Sequence, residues 1–261
     1  MTFPRHRLLP ALFFISVCVL GSMVPAPAKT GGDTAELSRH AWSLLRSGKR
    51  QEALKEFDRL IEREPDNAAA YRGRGIILVY FQKAEKAKAD LEKSLSLEPS
   101  AQGYFALGAA CINLDSIDEA VKAYDRAMRL KLGSHMAHMM RGRCYYVLGK
   151  YDLAVKDFDQ AISDFAGRFR GLTYLQMKHY DQALCGFNVA LFYDRTWVTG
   201  YYYKAKTLEI LGRRAEAARF YKLYLERLAR AGGAKAKDPM GYENPGRYEK
   251  EVRQWLAQYK K

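Results

Sequence analysis

Six alanines set a period along this chain. Ala53, Ala87, Ala120, Ala154, Ala183 and Ala217 follow one another at steps of 34, 33, 34, 29 and 34 residues. Four residues after each stands a large apolar side chain: Phe57, Leu91, Tyr124, Phe158, Phe187 and Tyr221. Twelve residues before each is a small one: Ala41, Gly75, Gly108, Gly142, Gly171 and Ala205. Nine before stands Leu44, Leu78, Cys111, Tyr145, Tyr174 or Leu208. Four columns kept in register through six units mean that the chain repeats one short element and is not built around a single central core.

The element is helical. Ala, Leu, Lys, Glu, Arg and Gln recur throughout, Pro occurs 8 times in 261 residues, and no stretch alternates apolar and polar residues as a strand would. Four residues make one helical turn, so each alanine and the large residue after it share a face. A small residue on the preceding helix lets two antiparallel backbones approach closely, and the large side chain fills the space between neighbouring units. No unit can bury its apolar face alone, so stability comes from stacking.

The period and this order of small, apolar, alanine and aromatic positions resemble the tetratricopeptide repeat over about residues 34–231. The resemblance implies an all-α, right-handed superhelical solenoid of six antiparallel helix pairs. The repeats fall at 34–67, 68–100, 101–134, 135–163, 164–197 and 198–231. A linker at 232–243 and a C-terminal helix at 244–261 follow. Tyr248, Val252, Trp255, Leu256 and Tyr259 form one stripe on that helix, which reads as the cap that covers the last repeat. The other reading is a detachable amphipathic helix, since residues 227–261 hold nine basic and four acidic residues.

Local signals agree with the register. Asp33 and Glu36 read as a capping box at the first helix. Gly48, Gly149 and Gly212 sit at turns inside repeats, and Pro65 and Pro99 close second helices. Repeats three and five carry Leu132 and Arg195 where the closing proline would stand. The 29-residue step predicts a shortened second helix in repeat four, ending near Ile162, with Ser163-Asp164 opening the next helix. Arg74 and Arg141 precede the small glycine of their repeats, with Asp90 and Asp157 at matching places on the second helices, which predicts ion pairs within each unit. Repeat five sets Arg170 against Gly186, which leaves Arg170 available for another role.

Residues 1–28 have the order of a secretory signal peptide: Arg5 and Arg7, an apolar run from Leu8 to Val24, then Ala26-Pro27-Ala28, with a linker at 29–33. The alternative is a retained membrane anchor, although 17 residues containing Pro10 are short for a bilayer crossing. Export places the chain in an oxidising compartment, expected to be a bacterial periplasm. Cys111, Cys144 and Cys185 fit no zinc or disulfide spacing, and each is expected as a buried thiol. The balance of 43 Lys+Arg against 29 Asp+Glu is a formal +14, and favours anionic partners. Loss of residues 1–28 removes two of those charges and leaves +12.

In the family this chain resembles, first helices line a concave groove that holds a partner peptide. Carried across residue by residue, the groove candidates are Arg72, Tyr80, Phe105, Asn113, Met139, Arg143, Tyr146, Arg168, Gln176, Tyr202 and Lys206. Arginines among aromatics would hold apolar side chains and pair with carboxylates, so the expected partner is a protein or peptide of acidic character. The other reading is that these residues pack between repeats. The Lys/Asn/Arg carboxylate clamp of the co-chaperone members is not matched, because Asn113 is the only Asn in any first helix. His135 and His138 lack a third ligand, and no phosphate loop, nucleophile elbow or HExxH motif is present. The sequence predicts no catalysis, no cofactor, no metal and no small-molecule substrate, and export disfavours nucleic acid. The reading is an adaptor or scaffold of the cell envelope. Its alternative is a membrane-associated structural component tethered by residues 8–24 or by the C-terminal helix.

Overall fold

The computed structural model describes residues 32–130, 134–161, 164–233 and 244–259. All regular structure among them is helical. The residues expected to form a signal peptide or anchor, Cys18, Leu132, and Ile162-Ser163 lie outside the described residues. The chain divides into two compact units, one ending at Ala137 and one beginning at His138.

The N-terminal unit holds three helix pairs: α1 (Gly32–Arg46) with α2 (Arg50–Arg63), α3 (Ala68–Tyr80) with α4 (Ala84–Leu97), and α5 (Ala101–Asn113) with α6 (Ile117–Arg129). Helix α7 (Ser134–Val147) spans the division. The C-terminal unit continues with α8 (Tyr151–Gln160), α9 (Asp164–Gln176) with α10 (Tyr180–Tyr193), and α11 (Val198–Ile210) with α12 (Arg214–Arg230). A 3-10 turn at Pro245–Tyr248 leads into α13 (Glu249–Tyr259).

The sequence columns form the core of both units, except that Tyr145 and Tyr174 of the column nine residues before the alanine are half-buried at its edge. All six period-setting alanines are wholly buried, and so are the large residues one turn later. Where the small residue is glycine, the large residue seats on it. A Cβ on Gly75 would lie 2.7 Å from Leu91 Cγ, and one on Gly108 would lie 2.7 Å from Tyr124 Cζ. On Gly171 it would meet Phe187 Cδ1 at 2.6 Å. The same rings also reach the next repeat. Phe158 stacks on Phe169 with ring centres 5.8 Å apart, and Phe187 stacks on Tyr203 at 5.8 Å. One side chain thus closes its own pair and joins it to the following one.

Every turn between the two helices of a pair has the same geometry. The second residue after the first helix takes a left-handed conformation: Gly48, Gln82, Asp115, Gly149, Lys178 and Gly212, at φ from 58° to 80°. The next N–H bonds a carbonyl five residues back, from Lys49 to Leu44 at 2.9 Å through to Arg213 to Leu208 at 2.9 Å. Glycine fills three of these positions without steric cost; the other three carry a side chain there at some cost. Between pairs, Asn67 and Ser100 cap α3 and α5 by accepting from Ala70 and Gly103 backbone N–H groups at 2.9 and 3.2 Å. Helices α2 and α4 end at Arg63 and Leu97, two residues before Pro65 and Pro99. Asp33 lies inside the first turn of α1, which starts at Gly32, so it is not the N-cap residue expected from sequence.

Ion pairs follow the sequence pattern with one correction. Arg74 grips Asp90 through Nε and Nη2 at 2.7 and 2.8 Å and also meets Asp58 at 2.9 Å. Arg141 grips Asp157 at 2.8 and 2.7 Å. Arg170 is not spare: its Nη1 donates to Asp159 at 3.0 Å, across the junction that the shortened repeat creates. That junction has the expected form, with α8 at 10 residues against 14 in α4. The place where repeat five lacks an ion pair is instead a backbone contact. A Cβ on Gly186 would stand 2.7 Å from Gly171 Cα and 3.1 Å from the Gly167 carbonyl oxygen.

Gly186→Ala should therefore cost about 1–3 kcal/mol, because the colliding atoms are backbone and only helix separation relieves them. Lys178→Gly should act in the other direction by up to about 1 kcal/mol, since it removes a side chain from a left-handed position. Hydrogen-exchange protection of α9 and α10 reads both changes locally, which suits a repeat array that need not unfold in two states.

Candidate partner-binding faces

In the N-terminal unit four of the expected groove residues come from α3 and α5. Arg72 is 4% exposed, and its Nη1 donates to Ser100 Oγ at 3.2 Å. Its guanidinium lies 5.6 Å from the centre of the Trp42 ring. It forms no ion pair with a carboxylate among the described residues, and burial pulls its pKa below the ordinary value against the opposing field of Glu98. Arg72 Nε and Trp42 Nε1 are both buried donors with no hydrogen-bond partner. Phe105 is 1% exposed and packs edge-on against Tyr124 with centres 5.3 Å apart. Asn113 is half-buried and donates weakly to the Val79 carbonyl at 3.4 Å. Tyr80 remains 38% exposed, with the Arg50 guanidinium 3.8 Å over its ring.

In the C-terminal unit most of the candidates are packed. Met139, Arg143, Tyr146, Arg168 and Tyr202 are all buried, while Gln176 and Lys206 are half-buried. Arg143 Nη1 lies 3.4 Å from Met140 Sδ, and its guanidinium is 5.2 Å from the Phe169 ring centre. Arg168 lies between the Phe165 and Trp197 rings, at 4.6 and 4.8 Å, and ion-pairs with Asp194. Burial alone would raise the Asp194 carboxyl; bonds from Thr196 Oγ1 and N–H, together with Arg168, outweigh it and hold the group below its usual value. Tyr202 and Lys206 are covered by the chain's own C-terminus. Tyr248 stacks on Tyr202 at 3.8 Å, and Glu251 accepts from Lys206 Nζ at 3.1 Å.

The structure thus places the arginines of the first helices on aromatic rings, where a weakly hydrated planar cation packs well. Tyr80, Asn113 and Gln176 are the expected groove residues left with exposed surface away from the C-terminal segment. Sequence reasoning missed Asp194, Trp197, Tyr248 and Glu251 as their partners, because these fall outside the repeating columns. It also missed Phe192 and Tyr193, which are 72% and 67% exposed at the end of α10. Among the described residues no group of three or more His, Cys, Asp or Glu is placed to hold a metal. His138 Nδ1 is instead 2.8 Å from Asp157.

Comparison with known proteins matches a tetratricopeptide-repeat family model to residues 38–79, 75–131 and 113–168. The chain belongs to the tetratricopeptide-repeat family. Tetratricopeptide repeat protein 13 of Homo sapiens is 30% identical over 177 residues, 63% of this chain and 20% of its own length. The lipoprotein NlpI homolog of Haemophilus influenzae is 30% identical over 96 residues, 36% of this chain and 31% of its own. The chain therefore spans a third or less of these two curated relatives. Among solved structures, PilW, a type IV pilus biogenesis factor, aligns with a TM-score of 0.69 over 84% of this chain and 99% of its own at 18% identity. YrrB, a tetratricopeptide-repeat protein with an unusual peptide-binding site, aligns at 0.59 over 66% of this chain and 92% of its own at 20% identity. At these identities the structural matches show the fold.

The cysteines separate in a way the tetratricopeptide-repeat register does not foretell. Cys111 and Cys144 are buried, as expected; Cys185 is exposed on α10, against expectation. Position 185 lies two residues beyond buried Ala183 and so turns away from the pair. Burial pushes the Cys111 thiol up to about 11, with Lys88 opposing. In the native protein at pH 8, iodoacetamide should label Cys185 within minutes and spare Cys111 and Cys144 until denaturant is added; mass spectrometry of tryptic peptides reads the order.

Proposed function

We propose that this chain is an exported protein-interaction adaptor that docks an acidic segment of a partner protein against its first helices. The observation that carries the reading is the pair of buried, unbonded donors Arg72 Nε and Trp42 Nε1; the Arg72 guanidinium feels the field of Glu98 but bonds no carboxylate among the described residues. Buried donors are normally satisfied, so a carbonyl or carboxylate from outside the chain is the complement this face calls for. Tyr80, exposed about two turns further along α3, offers a ring for an apolar side chain of the same segment. Family membership supports binding over catalysis, and the peptide-binding site named for YrrB supports a peptide as the ligand class. The net positive charge of the chain would raise the encounter rate with an acidic partner.

Export rests on the basic, apolar and small-residue order of residues 1–28. The envelope names of two similar proteins, a lipoprotein and a pilus biogenesis factor, support it. A second reading is a membrane-associated structural component. No described helix is long and apolar enough to cross a membrane, and the apolar stripe of α13 packs on α12, which leaves residues 8–24 as the tether in that case.

A photo-crosslinking residue placed at position 80 or 176, on first helices, should trap a protein partner in cells. The same residue at exposed positions 59 or 192, on second helices, should not. Equal trapping from all four positions, or trapping from 59 and 192 alone, rejects the first-helix face as the docking surface.

A further inference from the structure

The first-helix face of the last pair already has an occupant, and the occupant is a segment of this chain. Tyr248 lies flat on Tyr202, with ring planes 6° apart and centres at 3.8 Å. Its hydroxyl is 3.2 Å from the Tyr203 hydroxyl. Three residues later Glu251 accepts from the Tyr202 hydroxyl at 3.2 Å and from Lys206 Nζ at 3.1 Å. Val252 is wholly buried, and Trp255 sits against Tyr221 with ring centres 4.9 Å apart. Upstream, the Tyr224 hydroxyl donates to the Pro245 carbonyl. Tyr202 and Lys206 are the positions that the repeat register assigns to a partner. What covers them is an aromatic ring, a carboxylate one helical turn on, and an apolar side chain.

The hold is narrow. Among the described residues 244–259 only Pro245, Tyr248 and Val252 are buried, while Trp255 and Leu256 are half-buried. The Glu251 side chain is 43% exposed, and Tyr259 is 44% exposed. A notch of about 250 Å³ lined by Glu209, Arg214, Trp255, Gln258 and Tyr259 stays open beside the helix. A helix of 11 residues has little stability of its own in water, so α13 is ordered by its docking. Burial and the neighbouring carboxylate hold the Tyr202 hydroxyl far above its ordinary value, so it stays a donor. Lys206 loses by burial and gains more from Glu251 and Glu209, so it stays charged. The face is thus a fixed pair of donors with a flat ring beside them.

We propose that this face is an exchangeable binding site whose resident ligand is the chain's own segment 244–259. A partner protein displaces it with a helical segment that carries an aromatic residue, an acid three positions later, and an apolar residue next. This rests on the adaptor reading and names the chemistry that one face recognises. A tethered occupant competes at an effective concentration of order millimolar. The partner's apparent affinity is therefore scaled by the fraction of time the face stands vacant.

The test uses the full chain and a fluorescent synthetic peptide of residues 244–259, read by anisotropy. A Tyr248→Ala/Glu251→Ala chain keeps Tyr202 and Lys206 but loosens the resident segment. It should bind the peptide at least about tenfold tighter than the parent does. Adding Lys206→Glu to that chain should abolish binding, and a peptide carrying Glu251→Lys should restore it. The restoration shows that loss came from the charge and not from unfolding. Hydrogen exchange of the parent supplies a second measurement: α13 amides should open with far less protection than those of α12. No peptide binding to either chain, equal binding insensitive to Lys206→Glu, or α13 protected as strongly as α12 would each overturn the proposal and leave a permanent cap. Crosslinking from positions 80 and 176 does not touch this face, so the adaptor reading stands or falls separately.

Discussion

One contact recurs in four of the helix pairs: the large side chain of the second helix against the glycine of the first. Leu91 rests where a Gly75 Cβ would be, and Tyr124, Phe158 and Phe187 rest likewise on Gly108, Gly142 and Gly171. Fully burying each such side chain contributes on the order of 1.5–3 kcal/mol. The same ring then stacks on the following repeat, as Phe187 does on Tyr203. Closure of a pair and stacking of pairs are therefore the same interaction. A five-residue deletion in repeat four is absorbed because it shortens α8 at its end and leaves Ala154 and Phe158 in place.

Charge serves two separate purposes here. Arg74 and Arg141 make bidentate pairs with the buried carboxylates of Asp90 and Asp157 and hold two helices of one repeat in register; loss of either arginine would leave a buried charge without that partner. Arg143 and Arg168 are buried and spend their planar surface on aromatic rings. Their substitution would disturb packing before it disturbed any partner. Arg72 differs from Arg168 at the same register position: Asp194 pairs directly with Arg168, whereas the equivalent acid, Glu98, acts on Arg72 only through its field and Ser100 takes the hydrogen bond. Burial outweighs the field of Glu98, so the desolvated cation is only partly compensated, which is why this face reads as receptive to an anion.

The two ends of the partner-facing register are thus in different states. Around Arg72 two buried donors, Arg72 Nε and Trp42 Nε1, are bare; the face around Lys206 is filled by Glu251 and Tyr248. The filled face shows directly which chemistry satisfies it. A segment that closes the last repeat against water can also regulate it, since covering an apolar face and competing for it are thermodynamically the same act.

The sequence by itself determined whatever recurs. The alanine, small and aromatic columns, the glycines of the left-handed turns, the pairing of Arg74 with Asp90, and the shortened α8 were all legible, because each depends on residues at fixed separations within one period. Only the tertiary structure decided the rest. It buried Arg72, Arg143 and Arg168 against rings, gave Arg170 to Asp159, exposed Cys185, and laid Tyr248 and Glu251 on Tyr202 and Lys206. These contacts join residues of non-equivalent positions, or a repeat to a segment that has no period. No spacing in the sequence encodes them; they are settled by which side chains a neighbouring helix happens to bring within reach.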